Sequence, residues 1–167
     1  SGANNAPLQI SASYNSVENE PVTIAIDEET TETLSFPMEN GITVEIDFTF
    51  SGPTSGTLTV QRIENLASLP TELQSVDIIP QWLQILESPG LNFDTATITF
   101  TYDPSSLGPL TEADINRAFR YAEGSVTEFA VTVDETNNTI SFTTNGFSDW
   151  YFGNADTNVP DWLEMEN

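Results

Sequence analysis

The run GITVEIDFTF (41–50) sets Ile42, Val44, Ile46, Phe48 and Phe50 on one side of an extended chain. Thr43, Glu45, Asp47 and Thr49 fall on the other. Successive side chains of a strand point to opposite faces, whereas a helix scatters alternate positions around its axis, so this pattern can bury its apolar set only as a β-strand. The period recurs along the chain. Leu8, Ile10, Ala12 and Tyr14 alternate with polar residues, as do Val22, Ile24 and Ile26, then Leu34 and Phe36, then Leu58 and Val60. Ala96, Ile98, Phe100 and Tyr102 alternate with Thr95, Thr97, Thr99 and Thr101. Phe129, Val131 and Val133 face Ile140 and Phe142 across DETNN, and turn signals separate the runs at ENG (39–41), SPG (88–90), DPSSLGP (103–109) and AEG (122–124). The expectation is an all-β protein, an antiparallel β-sandwich (Ig-like) of about nine strands with at most one short helix; a barrel is the alternative.

Two stretches break the alternation. LASLPTELQSVDIIPQWLQILE (66–87) contains two prolines and mixed periods, which predicts a long crossover with a short strand or helical turn near Trp82–Ile85. LTEADINRAFRY (110–121) has Thr111 and Asp114 at capping-box spacing, which predicts a helical turn leading into a strand through Phe119 and Tyr121. The expected organisation is one domain over residues 1–153, with 1–40 as added N-terminal strands, followed by an acidic tail over 154–167. SGANNAPLQ has no basic stretch followed by an apolar one and reads as a mature or trimmed N terminus.

Charge narrows the function. Twenty-six acidic residues stand against three arginines and no lysine, for a net charge of −23. Such a field repels nucleic acid and anionic membrane surfaces and attracts cations. No apolar run approaches the ~20 residues of a membrane-spanning helix, so membrane insertion is not expected. The chain has neither Cys nor His. Ser-His-Asp and Cys-His catalysis, imidazole–metal sites and, without Lys, Schiff bases are therefore excluded, leaving carboxylate pairs and all-oxygen metal sites. No pair of carboxylates is marked out by a cleft, and the protein is read as non-enzymatic.

Residues 41–153 resemble a β-sandwich module found near the C termini of secreted and surface proteins of bacteria and archaea. The resemblance rests on GITVEIDFTF and GTLTV, on Tyr102-Asp103, on Arg120-Tyr121, on Asp134 with Asn138-Thr139-Ile140, and on Phe147-Ser148. Ser125-Val126 and the heavy ending Trp150-Tyr151-Phe152 depart from that module's usual pattern. The resemblance implies an extracellular accessory or structural role and carries no catalytic residues.

The remaining candidates are binding features. Trp150, Tyr151 and Trp162 are candidates for stacking on a glycan, although a closing strand more naturally turns alternate rings inward. Asp156, Asn158 and Asp161 offer hard oxygen ligands that could hold Ca²⁺, the one cofactor considered; DEET (27–30) and DET (134–136) are alternatives, and none matches an EF-hand loop. Asn137 heads an N-glycosylation sequon at a hairpin tip. Leu8, Ile10, Ala12 and Tyr14 form a strand that can complete its own sheet or be donated to a neighbouring copy. The functional expectation is a subunit of a cell-surface assembly (a filament, sheath or surface layer) whose partner is itself. The alternative is a monomeric module that binds polysaccharide or Ca²⁺.

Overall fold

The computed structural model describes residues 20–27 and 33–155. Their strands are β1 (Val22–Asp27), β2 (Leu34–Pro37), β3 (Thr43–Thr49), β4 (Ser55–Ile63), β5 (Asp77–Ile78) and β6 (Trp82–Glu87). The chain continues through β7 (Thr95–Thr101), β8 (Arg117–Ala122), β9 (Ser125–Ala130), β10 (Thr132–Asp134), β11 (Thr139–Thr144) and β12 (Asp149–Asn154). The described residues include three single 3-10 turns, at Glu39–Gly41, Thr71–Leu73 and Glu112–Asp114, and no α-helix. The last of these carries the expected capping box between Thr111 and Asp114.

Every pairing is antiparallel. One sheet runs β1-β4-β6-β12-β8-β9, with β5 added on β12, and the other runs β10-β11-β7-β3-β2. The two inner faces meet in one core around Val44, Ile46, Leu58, Val60, Ile98, Phe100, Trp150 and Phe152, as a β-sandwich requires. The outer face of the second sheet carries the polar half of the alternation. There Thr97 pairs with Thr143 (3.0 Å) and Thr99 with Ser141 (3.3 Å) across the strands.

The described residues alone form twelve strands against the expected nine, for two local reasons. The alternating run Phe129-Val131-Val133 is not one strand. Phe129 lies opposite Ala118 in the first sheet, Val133 lies opposite Ile140 in the second, and the chain changes sheets at Val131. All three side chains still pack against the core. Inward parity therefore survives a change of sheet, and alternation alone cannot report it. The other reason lies in the crossover. Residues 82–87 form not a marginal strand but β6, in the middle of its sheet between β4 and β12.

The rest of the crossover supplies a third layer. Leu66, Leu69, Leu73, Val76 and Ile78 cover a row on the outer face formed by Ile63, Trp82, Tyr151 and Phe119. Trp82 and Tyr151 stack there at 4.6 Å, and the Trp82 indole donates to the Asn65 carbonyl (2.7 Å). The strand β12 is consequently buried on both faces. It also runs past the expected boundary at 153, through Asn154, whose amide donates to the Asp114 carbonyl (2.7 Å).

Candidate functional site

Two features of the folded chain offer themselves to a partner: a sheet edge and a pocket at one end of the sandwich. The edges follow from the strand order. β1 and β9 terminate the first sheet, and β2 and β10 terminate the second. Three of these four edges are blunted in the ways proteins protect exposed ladders. β2 has four residues and ends at Pro37, β10 has three, and β9 turns into the other sheet and carries Glu128, ion-paired with Arg117 at 3.5 Å. β1 differs. It is six residues long, uncharged from Val22 to Ile26, and pairs along its whole length with β4 on one side only among the described residues. Val22, Ile24 and Ile26 lean toward the core, while Thr23 and Ala25 are exposed on the outer face. On that face Thr23 and Thr59 lie in one cross-strand row with Leu86, the one large hydrophobic residue exposed among the described residues, at 53%.

The pocket has a volume of about 270 Å³ and opens between the end of β4, the end of β7, the turn before β3 and the β10–β11 turn. Its floor follows from the register of β4. Leu58, Val60 and Arg62 share the inward face, so a guanidinium stands where the hydrophobic row reaches the end of the core, 3% exposed. Burying a charge demands partners. Glu64 supplies one at 2.6 Å, and the Gln81 carbonyl oxygen accepts from Arg62 Nη2 at 2.9 Å. Arg62 Nε is buried with no hydrogen-bond partner. Gln81 is fully used: its Oε1 also accepts from the Asp103 N–H (2.8 Å), and its Nε2 donates to the carbonyls of Asp103 (2.8 Å) and Ser106 (2.7 Å).

The pocket's acidic wall is Glu64 and Asp103. Hydrogen bonds from the Ser105 side chain and backbone hold the Asp103 carboxyl below the usual range, with the Arg62 charge adding to the effect. Behind Asp103, the Tyr102 hydroxyl donates to Glu112 Oε1. Burial first, and then that bond, push the Tyr102 phenol upward. The Asn138 amide, oriented with its nitrogen toward Glu112, donates to the same carboxylate and to the Glu135 carbonyl, at 3.2 Å each. Asn40 and Asn138 complete the rim in left-handed backbone, with φ of 61° and 58°. Asn tolerates that region better than other non-glycine residues because its short polar side chain bonds locally.

The expected site residues fall elsewhere. Trp150 and Tyr151 do not present rings to a glycan: they are 0% and 2% exposed. Trp150 packs on Phe129 and Phe142 in the main core, and Tyr151 lies under the crossover. Sequence alternation predicted one ring left outward, and the crossover layer buries it as well. Asn137 sits on the exposed hairpin tip, where its Nδ2 donates to Asp134 Oδ2 (2.7 Å); the left-handed residue is its neighbour Asn138. Among the described residues no three acidic groups converge, those of DET (134–136) included. Leu8, Ile10, Ala12 and Tyr14, the candidate ligands Asp156, Asn158 and Asp161, and Trp162 lie outside the described residues, as does most of DEET (27–30). No helix of the described residues is long and apolar enough to cross a membrane.

Arg62 and Gln81 were not singled out from sequence, yet one signal was available. In a chain with three cations, Arg62 occupies an inward position of the run that begins with Leu58 and Val60. A charge in the apolar register of a strand marks a place where the core opens or a polar network begins. Comparison with known proteins adds nothing to this picture: no protein-family model, no curated protein and no solved structure matches the chain.

Proposed function

We propose that this protein is a non-enzymatic, extracellular structural subunit that assembles with copies of itself, the edge of β1 accepting the N-terminal strand of a neighbour. The observation that carries this reading is the contrast among the four edges. Three are short, proline-ended or ion-paired, whereas β1 has six residues, is uncharged from Val22 to Ile26 and is paired on one side only among the described residues. A donated strand gains main-chain hydrogen bonds along such an edge and specificity from alternate side chains. Residues 1–17 contain no charged residue in a chain of net charge −23, so this segment can approach a second copy without bringing carboxylates with it. The resemblance of 41–153 to modules of surface proteins supports the extracellular setting.

The absence of native cysteine makes the test clean. The polar positions of the N-terminal strand, Gln9, Ser11 and Ser13, would share the outer face with Ala25. Single-cysteine variants at these three positions are each mixed with Ala25→Cys and oxidised. The proposal expects a disulfide between chains for at least one mixture, together with loss of polymers by electron microscopy when residues 1–14 are deleted. A disulfide formed only within a chain that carries both cysteines would assign the strand to its own sheet and refute donation.

A further inference from the structure

We infer that Asn137 carries an N-linked saccharide, attached at the tip of the β10–β11 hairpin. This rests on the extracellular reading above, because such saccharides are joined to chains on the export route. Asn137-Asn138-Thr139 is the one place in the chain where an asparagine is followed two residues on by Ser or Thr, and the residue between them is not proline.

A hairpin turn can want asparagine for its own sake, since Asn tolerates left-handed backbone and bonds to nearby main chain. Here those duties fall on other residues. The left-handed residue is Asn138, with φ of 58°, and Asn137 does not adopt a positive φ. The side chain that closes the turn belongs to Asp134, whose Oδ1 accepts from the backbone N–H groups of Thr136 (2.9 Å) and Asn137 (3.2 Å). The Asn137 side chain contributes one exposed bond, from Nδ2 to Asp134 Oδ2 (2.7 Å). The turn therefore does not require an asparagine at 137, and the acceptor motif is what accounts for it.

The tip also has room. Asn137 is exposed, as are Asp134, Glu135 and Thr136 before it. The new bond joins sugar C1 to Asn137 Nδ2. The bond that breaks joins C1 to the phosphate of a lipid-linked saccharide; the lipid phosphate departs, and one amide proton passes to a base of the transferase. The second N–H stays on Nδ2 and can keep the bond to Asp134. β10 is the outermost strand of the second sheet and continues from β9, the outermost strand of the first on the side away from β1. A saccharide at this tip stands at the opposite lateral edge from the strand that would accept a neighbour.

The experiment has two arms. The chain is recovered from the surface and interior fractions of its own cells, and the peptide containing Asn137 is fragmented in a mass spectrometer. In parallel, the full chain is secreted from yeast as wild type, Asn137→Gln, Thr139→Ala and Thr139→Ser. The surface fraction is expected to carry sugar on Asn137. In yeast, wild type and Thr139→Ser should show a mass increment that peptide-N-glycosidase removes, and Asn137→Gln and Thr139→Ala should lose it completely with circular dichroism unchanged. Surface chain with a bare Asn137 would overturn the inference, as would secreted, folded wild type without the increment, or an increment that survives Asn137→Gln. Chain found only in the interior fraction would instead refute the extracellular reading, and the inference with it.

Discussion

At the scale of single residues, the side chains that matter most are those at which the two-faced alternation meets an exception. Gln81 is one: it is wholly buried and bonds four groups. Gln81→Ala would strand the Arg62 guanidinium and the Asp103 backbone together, and is expected to cost ~3 kcal/mol or more, read as a lower chemical-denaturation midpoint. Gln81→Glu should also destabilise, because it removes both donors and sets a second carboxylate beside Glu64. Trp150 is an exception of another kind. The closing strand carries it into the centre of the core, so Trp150→Ala should cost ~3–5 kcal/mol as a cavity, whatever glycan is present. Sequence alone told that a closing strand turns rings inward. It could not tell that both faces of this strand are covered.

At the scale of elements, the crossover is the decisive piece. It looks like a long loop, but it contributes a central strand and then a lid over the outer face. The lid is held by the approach of β5 to β12, where the chain passes so close that a Cβ on Gly153 would meet the Asp77 carbonyl oxygen at 2.0 Å. Gly153→Ala should therefore part β5 from β12. The expected result is faster hydrogen exchange across 66–79 and a red shift of Trp82 emission, with β3, β7 and β11 still protected. Leu73→Ala, within the same lid, should cost ~2–5 kcal/mol by the cavity it leaves. The tight turn between β8 and β9 shows the opposite case, in which local sequence suffices. Glu123 and Gly124 both have positive φ (52° and 80°), as a two-residue hairpin turn with the right twist requires, and AEG was legible as a turn.

At the scale of the whole molecule, charge dominates. A net charge of −23 on 167 residues opposes compaction, so the melting temperature should climb as salt rises from about 0.01 to 1 M and the screening length shrinks from ~30 to ~3 Å. The pH dependence has two limbs. Burial raises the Asp149 and Glu87 carboxyls. Their contribution to stability is complete below the ordinary carboxyl pKa of about 4 and is lost as pH climbs through their raised values. Asp103, Asp114 and Asp134 are lowered by hydrogen bonds from Ser105, Thr111 and Asn137, so their contribution is complete above about 4 and is lost as pH falls through the lowered values. Thermal melts across pH should thus peak on the acid side of neutrality, and Asp149→Asn should flatten the decline toward pH 7.

By itself the sequence determined the material of this protein. Side chains alternate because a strand has a period of two, and that local rule names the class, most of the strands, the inward residues and the turns. Only the tertiary structure decided which strands share a sheet, where Val131 passes from one sheet to the other, that Tyr151 lies beneath a lid, and that Arg62 and Gln81 meet Asp103 at a pocket. Parity is written residue by residue along the chain. Neighbours across strands such as Arg62 and Gln81, or Asp149 and Gln84, are set by register between segments 19 and 65 residues apart, and no local pattern encodes that register.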